Sequence, residues 1–177
     1  MTVTTIPTAG IADDAVGNTK LDLSENYAFT GTVTGAGGGK VLQIQSRSFN
    51  DNSNTTSTSA VASPFEHTIT PSATSSKVMI LIDGGRTSYG SGACEGTTWL
   101  YRSVGGGSFS EVVRMKQGCR AGGSDGYGKT SIAFNYLHSP STTSALIYKV
   151  YFRTNSNNWY LNSDNSRITI TLLEIEA

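Results

Sequence analysis

Apolar and polar residues alternate with period two through most of the chain after Lys40. In the stretch ALIYKVYFRT, Leu146, Tyr148, Val150 and Phe152 share one side, while Ile147, Lys149, Tyr151 and Arg153 share the other. That period belongs to a strand with one side in a core. The same reading predicts strands near 41–49, 65–70, 77–83, 97–104, 109–116, 131–138, 145–153, 158–162 and 167–175, separated by polar or Gly-rich loops. Eight or nine short antiparallel strands in about 140 residues suit an all-β sandwich of the jelly-roll kind. Loops at 51–60 and 121–129 would lie on its surface, where recognition most often resides.

Two strands are apolar on both sides. Val78, Ile80 and Ile82 alternate with Met79 and Leu81, and near the terminus Leu172, Leu173 and Ile175 fall close together. A sandwich buries one side of each strand, so the second needs a loop or a neighbouring subunit to cover it. Self-association is therefore expected, with Met79, Leu81, Leu173 and Ile175 at the interface.

The first 39 residues break the pattern. Ile6, Ile11, Val16 and Leu21 recur every five residues, a spacing that fits neither helix nor strand and gathers its apolar groups only against a partner; a mobile tail is the alternative. A short strand at 27–34 follows, then the glycine run 35–39, which reads as a hinge between an N-terminal anchor (1–39) and a head (40–177). The GGGK of this run lacks the Ser/Thr that a phosphate-binding loop requires, because Val41 follows Lys40.

Composition supports sheet over helix. Ser (23), Thr (23), Gly (20) and Asn (11) supply 77 of 177 residues, types that compete with the helical backbone or loosen it. Lys+Arg and Asp+Glu balance at 13 each, which leaves no net field to hold nucleic acid. The opening residues lack a signal peptide's basic and apolar regions, and the longest apolar run, 78–82, is far short of a membrane span. A soluble protein that neither binds nucleic acid nor inserts into a membrane is expected. Asn54-Thr55-Thr56 matches a glycosylation acceptor by chance in such a chain.

One hairpin can be registered. With Gly105–Ser108 at its tip, Leu100 faces Val113, Arg102 faces Glu111, and Cys94 faces Cys119. A disulfide between the two cysteines suits an oxidising environment, and two reduced thiols suit an intracellular one.

The segments TIPTAGIADDAVGNTKLDLSENYAFTGTVTG and GGGKVLQ, followed by FEHTITPSATSSKVMILIDGG, FNYLHSPSTTSALIYKVYFRT and ITITLLEIEA, resemble tail-fibre and related virion-surface proteins of bacteriophages, marine ones especially. The resemblance implies an extended N-terminal anchor, by which Ile6, Ile11, Val16 and Leu21 dock on another virion protein. It also implies a trimeric head shaped like tumour-necrosis-factor-like trimers that meets the host, and a location on the virion surface after synthesis in the host cytoplasm. The chain lacks the long shaft and tail-binding domain of full tail fibres, so tail and capsid locations both stay open. So does a purely structural role as a capsid decoration.

Residues for chemistry are few. His67 and His138 have no companions at ligand spacing, the two cysteines are 25 apart, and no GxSxG elbow is present. The carboxylates Asp83, Glu95, Glu111 and Asp125 offer pairs of the kind glycan cleavage needs, but a chain with 13 of them does so by accident. Asp51–Asn54 and Asn162–Asn165 follow no calcium-loop spacing. No enzyme, metal or cofactor is expected. For gripping a host glycan or protein, the candidates are aromatics next to polar loops, namely Tyr89, Tyr127, Trp159 and Tyr160; the alternative is that they plug the ends of the sandwich, which suits Trp159 best.

Overall fold

The computed structural model describes residues 40–89, 94–115 and 130–176. The docking candidates Ile6, Ile11, Val16 and Leu21, together with the expected strand 27–34, the glycine hinge, Cys119 and Tyr127, lie outside them. Ten strands are described: β1 (Val41–Phe49), β2 (Ser53–Thr55), β3 (Val61–Ile69), β4 (Lys77–Tyr89), β5 (Gly96–Val104), β6 (Ser110–Met115), β7 (Thr130–His138), β8 (Leu146–Thr154), β9 (Trp159–Leu161) and β10 (Ile168–Ile175).

Eight of these form two antiparallel layers, β1-β10-β4-β7 and β3-β8-β5-β6. The chain changes layer between β2 and β3, β3 and β4, β4 and β5, β6 and β7, β7 and β8, and β8 and β9, which is the wiring of the expected jelly roll. The three-residue strands β2 and β9 extend the first layer beyond a bend in β4.

The inward positions build one core between the layers. Val78, Ile80 and Ile82 from β4 and Ile168, Ile170 and Leu172 from β10 face Leu146, Tyr148, Val150 and Phe152 from β8. All ten are fully or almost fully buried, and each such side chain contributes about 1.5–3 kcal/mol of apolar transfer. Phe49 and Phe65 meet edge to face, 5.5 Å between centroids, and join the layers through β1 and β3. Gly96 is buried because the indole of Trp159 occupies the space a side chain would need there.

The bend in β4 falls at Gly84 and Gly85, with φ of 84° and 64°. The carbonyl oxygen of Arg167 lies where a Cβ on Gly84 would sit, and the same oxygen accepts a 2.6 Å hydrogen bond from the Gly85 N–H. Before the bend β4 lies between β10 and β7. After it, Ser88 and Tyr89 pair with Tyr160 and Trp159 of β9. The strand expected at 77–83 thus runs six residues further, because glycines that read as a loop start are a bulge inside a strand.

The β5–β6 hairpin pairs Leu100 with Val113 as expected, and the register shifts by one between Leu100 and Tyr101. Glu111 therefore faces Tyr101, and Arg102 faces Ser110. The expected Arg102–Glu111 pair is corrected by this bulge.

Candidate functional site

The two layers turn chemically different outer faces to their surroundings. On the first, directly opposed residues form a row across four strands: Ile44 of β1, Leu173 of β10, Met79 of β4 and Leu137 of β7. Ile44 is 60% and Leu137 45% exposed, with Met79 and Leu173 half-buried between them. The next row is mixed, Ser46, Thr171, Leu81 and Asn135, and the one after it polar, Ser48, Thr169, Asp83 and Ala133. Ser46 bonds Thr171 and Ser48 bonds Thr169 through hydroxyl pairs at 2.9 Å. Leu81 is 38% exposed and Ile175 is half-buried. All four residues expected at an interface, Met79, Leu81, Leu173 and Ile175, thus lie on this one face.

The outer face of the second layer is aromatic and cationic. Trp99 of β5 lies opposite Tyr151 of β8 and Arg114 of β6. The guanidinium carbons of Arg114 and Arg153 sit 5.5 and 5.6 Å from its ring centre. Tyr101 and Tyr151 are stacked at 4.1 Å, and Phe109 lies 5.9 Å from Tyr151. Lys149 pairs with Glu66 at 2.8 Å and approaches Phe109 to 5.4 Å. Burial chiefly, then the charge of Glu111 and the neighbouring Tyr151, raises the Tyr101 hydroxyl above the usual phenol range.

Between the layers, three polar groups meet. His138 of β7 lies with Nδ1 2.7 Å from the Tyr148 hydroxyl and Nε2 3.1 Å from Arg102 Nη1. Burial, then the nearby Arg102 charge, lowers the imidazole to about 4. Burial pushes the Tyr148 hydroxyl above its ordinary value, with Arg102 opposing. A second polar knot surrounds Glu174, which is fully buried. Its carboxylate accepts hydrogen bonds from the Ser72 N–H (2.6 Å), the Ser72 hydroxyl (2.7 Å) and Gln43 Nε2 (2.6 Å). Burial alone would raise this carboxyl; the bonds from Gln43, Ser72 and Ser76 outweigh it and hold the group at about 2.

The aromatics expected to be displayed fare differently. Tyr89 is 5% exposed and belongs to the core, because β4 carries it inward past the glycine bend. Trp159 is fully buried, 6.0 Å from Phe152. Both lie in the interior, which removes them as displayed residues and matches the alternative that such aromatics plug the sandwich. Tyr160 is half-buried and its hydroxyl accepts a 3.0 Å bond from Asn158. Tyr127 is outside the described residues. The aromatic face of the second layer was missed from sequence, although Trp99 and Tyr101 alternate with Thr98, Leu100 and Arg102 in β5 and so announce a strand with an aromatic outer side.

His67 faces Tyr148 across β3 and β8, and burial followed by the Arg47 charge lowers its pKa. No group of three or more His, Cys, Asp or Glu placed to hold a metal occurs among the described residues.

No family model matches the chain, and no curated protein does. Solved structures similar to it include that of infectious bursal disease virus Gt strain, at 9% identity and TM-score 0.46, and the infectious bursal disease virus VP2 subviral particle, at 10% and 0.43. The alignments cover 77% of this chain and 38% of the other. At such scores the likeness carries no weight, and the jelly roll rests on the strand order.

Proposed function

We propose that this chain is a structural protein of a virion, a homotrimeric fibre or knob on the particle surface. In this reading residues 1–39 dock it to another virion protein and its jelly-roll head attaches to the host cell. The observation that carries the reading is the apolar row Ile44–Leu173–Met79–Leu137, which crosses a whole sheet and has no cover within the described chain. A face of this kind on an evenly charged protein suits a neighbouring copy. The phage-fibre resemblance of the sequence supplies the trimer, the virion and the host. In this reading the head acts as a binding module.

Light scattering on the purified protein tests the assembly, with three times the 18.7 kDa chain mass expected; a monomer at micromolar concentration overturns it. Adhesion of the purified head to susceptible cells tests attachment. An assembled head that neither adheres nor blocks infection would make the protein a capsid decoration with a structural role alone.

A further inference from the structure

We infer that the outer face of the β3-β8-β5-β6 layer is a binding platform for an anionic glycan, a chain of sugars bearing carboxylate or sulfate groups. The inference deepens the attachment reading above and rests on it for the choice of a glycan over other anions.

Three features carry it. First, Trp99 stands on the outward side of β5, yet only 7% of its surface is exposed, with a guanidinium near its ring from each neighbouring strand, Arg114 of β6 and Arg153 of β8. Neither arginine forms an ion pair among the described residues, and Arg153 spends one donor on the Thr58 carbonyl at 3.2 Å. Two guanidiniums beside one indole, neither of them ion-paired among the described residues, leave planar donor arrays suited to an oxyanion.

Second, Tyr101, Tyr151 and Phe109 continue the surface next to Trp99 as half-buried rings. Tyr101 and Tyr151 hold each other by stacking, so the cluster offers rigid apolar area at small entropic cost against which the C–H groups of a pyranose pack. Third, charge along the face is graded. Arg153 and Arg114 stand beside Thr97 and Trp99, whereas Glu111 stands beside Tyr101 and the Lys149 charge is taken by Glu66. An acidic sugar would seat its anionic group at the Trp99 end and its ring over the tyrosines.

The probe is tetragalacturonate, with maltotetraose as neutral comparison and an oligothymidylate as a non-sugar anion, titrated onto the whole protein. Trp99 serves as reporter, since the other tryptophan, Trp159, is fully buried. Expected are a saturable fluorescence change with tetragalacturonate that weakens with salt, at least tenfold weaker binding of maltotetraose, and at least tenfold loss in R114Q/R153Q. The R114K/R153K variant should recover part of that loss. Equal binding of the neutral sugar, tighter binding of the oligothymidylate, no binding of tetragalacturonate at millimolar concentration, or an R114Q/R153Q variant that melts and binds like the parent would each overturn the platform. Cell adhesion separates this from the broader reading: adhesion unchanged in R114Q/R153Q removes the platform and leaves attachment standing. Tetragalacturonate binding by a head that adheres to no cell removes attachment and leaves the platform.

Discussion

Arg102 Nη1 lies 3.1 Å from His138 Nε2, and this contact fixes the tautomer of the histidine. A guanidinium only donates, so Nε2 must be the acceptor, and Nδ1 carries the proton that it donates to the Tyr148 oxygen at 2.7 Å. The one-residue bulge in the β5–β6 hairpin places Ser110, not Glu111, opposite Arg102. The histidine contact ties β7 of one layer to β5 and β8 of the other.

Acid should undo this tie. The imidazole is held at about 4, below its ordinary 6.5, by burial and by Arg102. The unfolded chain therefore takes up the proton first, so stability is fully present above about 6.5 and falls as pH drops toward 4. Thermal melts across that range should show the decline, and His138→Gln should make it shallower, with His67, whose pKa is also lowered, carrying the remainder. A melting temperature independent of pH between 4 and 7 in the parent contradicts the assignment.

Glu174 predicts a second, more acidic step. Its carboxyl is held at about 2 against an ordinary 4.5, so its contribution is intact above 4.5 and disappears as pH falls from there to 2. Glu174→Gln replaces one charged acceptor by an amide among four donors, and a loss of about 1–3 kcal/mol is expected. Chemical denaturation at pH 7 measures it, and the variant should also lack the lower acid step.

Gly84→Ala should destabilise the fold by about 2 kcal/mol or more. The φ of 84° is costly for alanine, and the added Cβ meets the Arg167 carbonyl oxygen, which is backbone and cannot turn aside. Gly106→Ala is the control: its φ is 79°, but nothing lies within 4 Å, so only the backbone cost, about 1 kcal/mol, is expected. Equal losses at the two sites would show that the carbonyl contact contributes nothing.

The apolar row gives a mutation test of assembly. Met79→Glu and Leu173→Glu place two carboxylates side by side on the outer face, where the pair is directly opposed across β4 and β10. Within one copy they remain solvated and the fold should survive; between copies they would be desolvated like charges, costing several kcal/mol. Light scattering should report monomers, with circular dichroism unchanged. An unaltered oligomer would move the interface elsewhere.

Alternation made the core of β4, β8 and β10 legible, because burial on one side imposes period two on any strand long enough to show it. It also reached the Leu100–Val113 pairing. The Arg102–Glu111 error arose where a bulge, which leaves no mark in residue type, reset the register. Tyr89, among Gly and Ser, reads as a loop residue, and the double-glycine bend keeps it in a strand; Trp159 lies in the strand expected at 158–162, but β9 is too short to display a period that would tell which side faces inward. β2, three residues among Asn and Thr, was missed for the same reason. The aromatic platform is built from residues of three strands, so it emerges only once their registers are known.

The two outer faces share no side chain. Substitutions at Trp99, Tyr101 or Arg114 point away from the core and lie on the opposite layer from Met79 and Leu173. One surface can therefore diversify while the other is held constant, and a lineage of such molecules would be free to change what it grips without relearning how to fold.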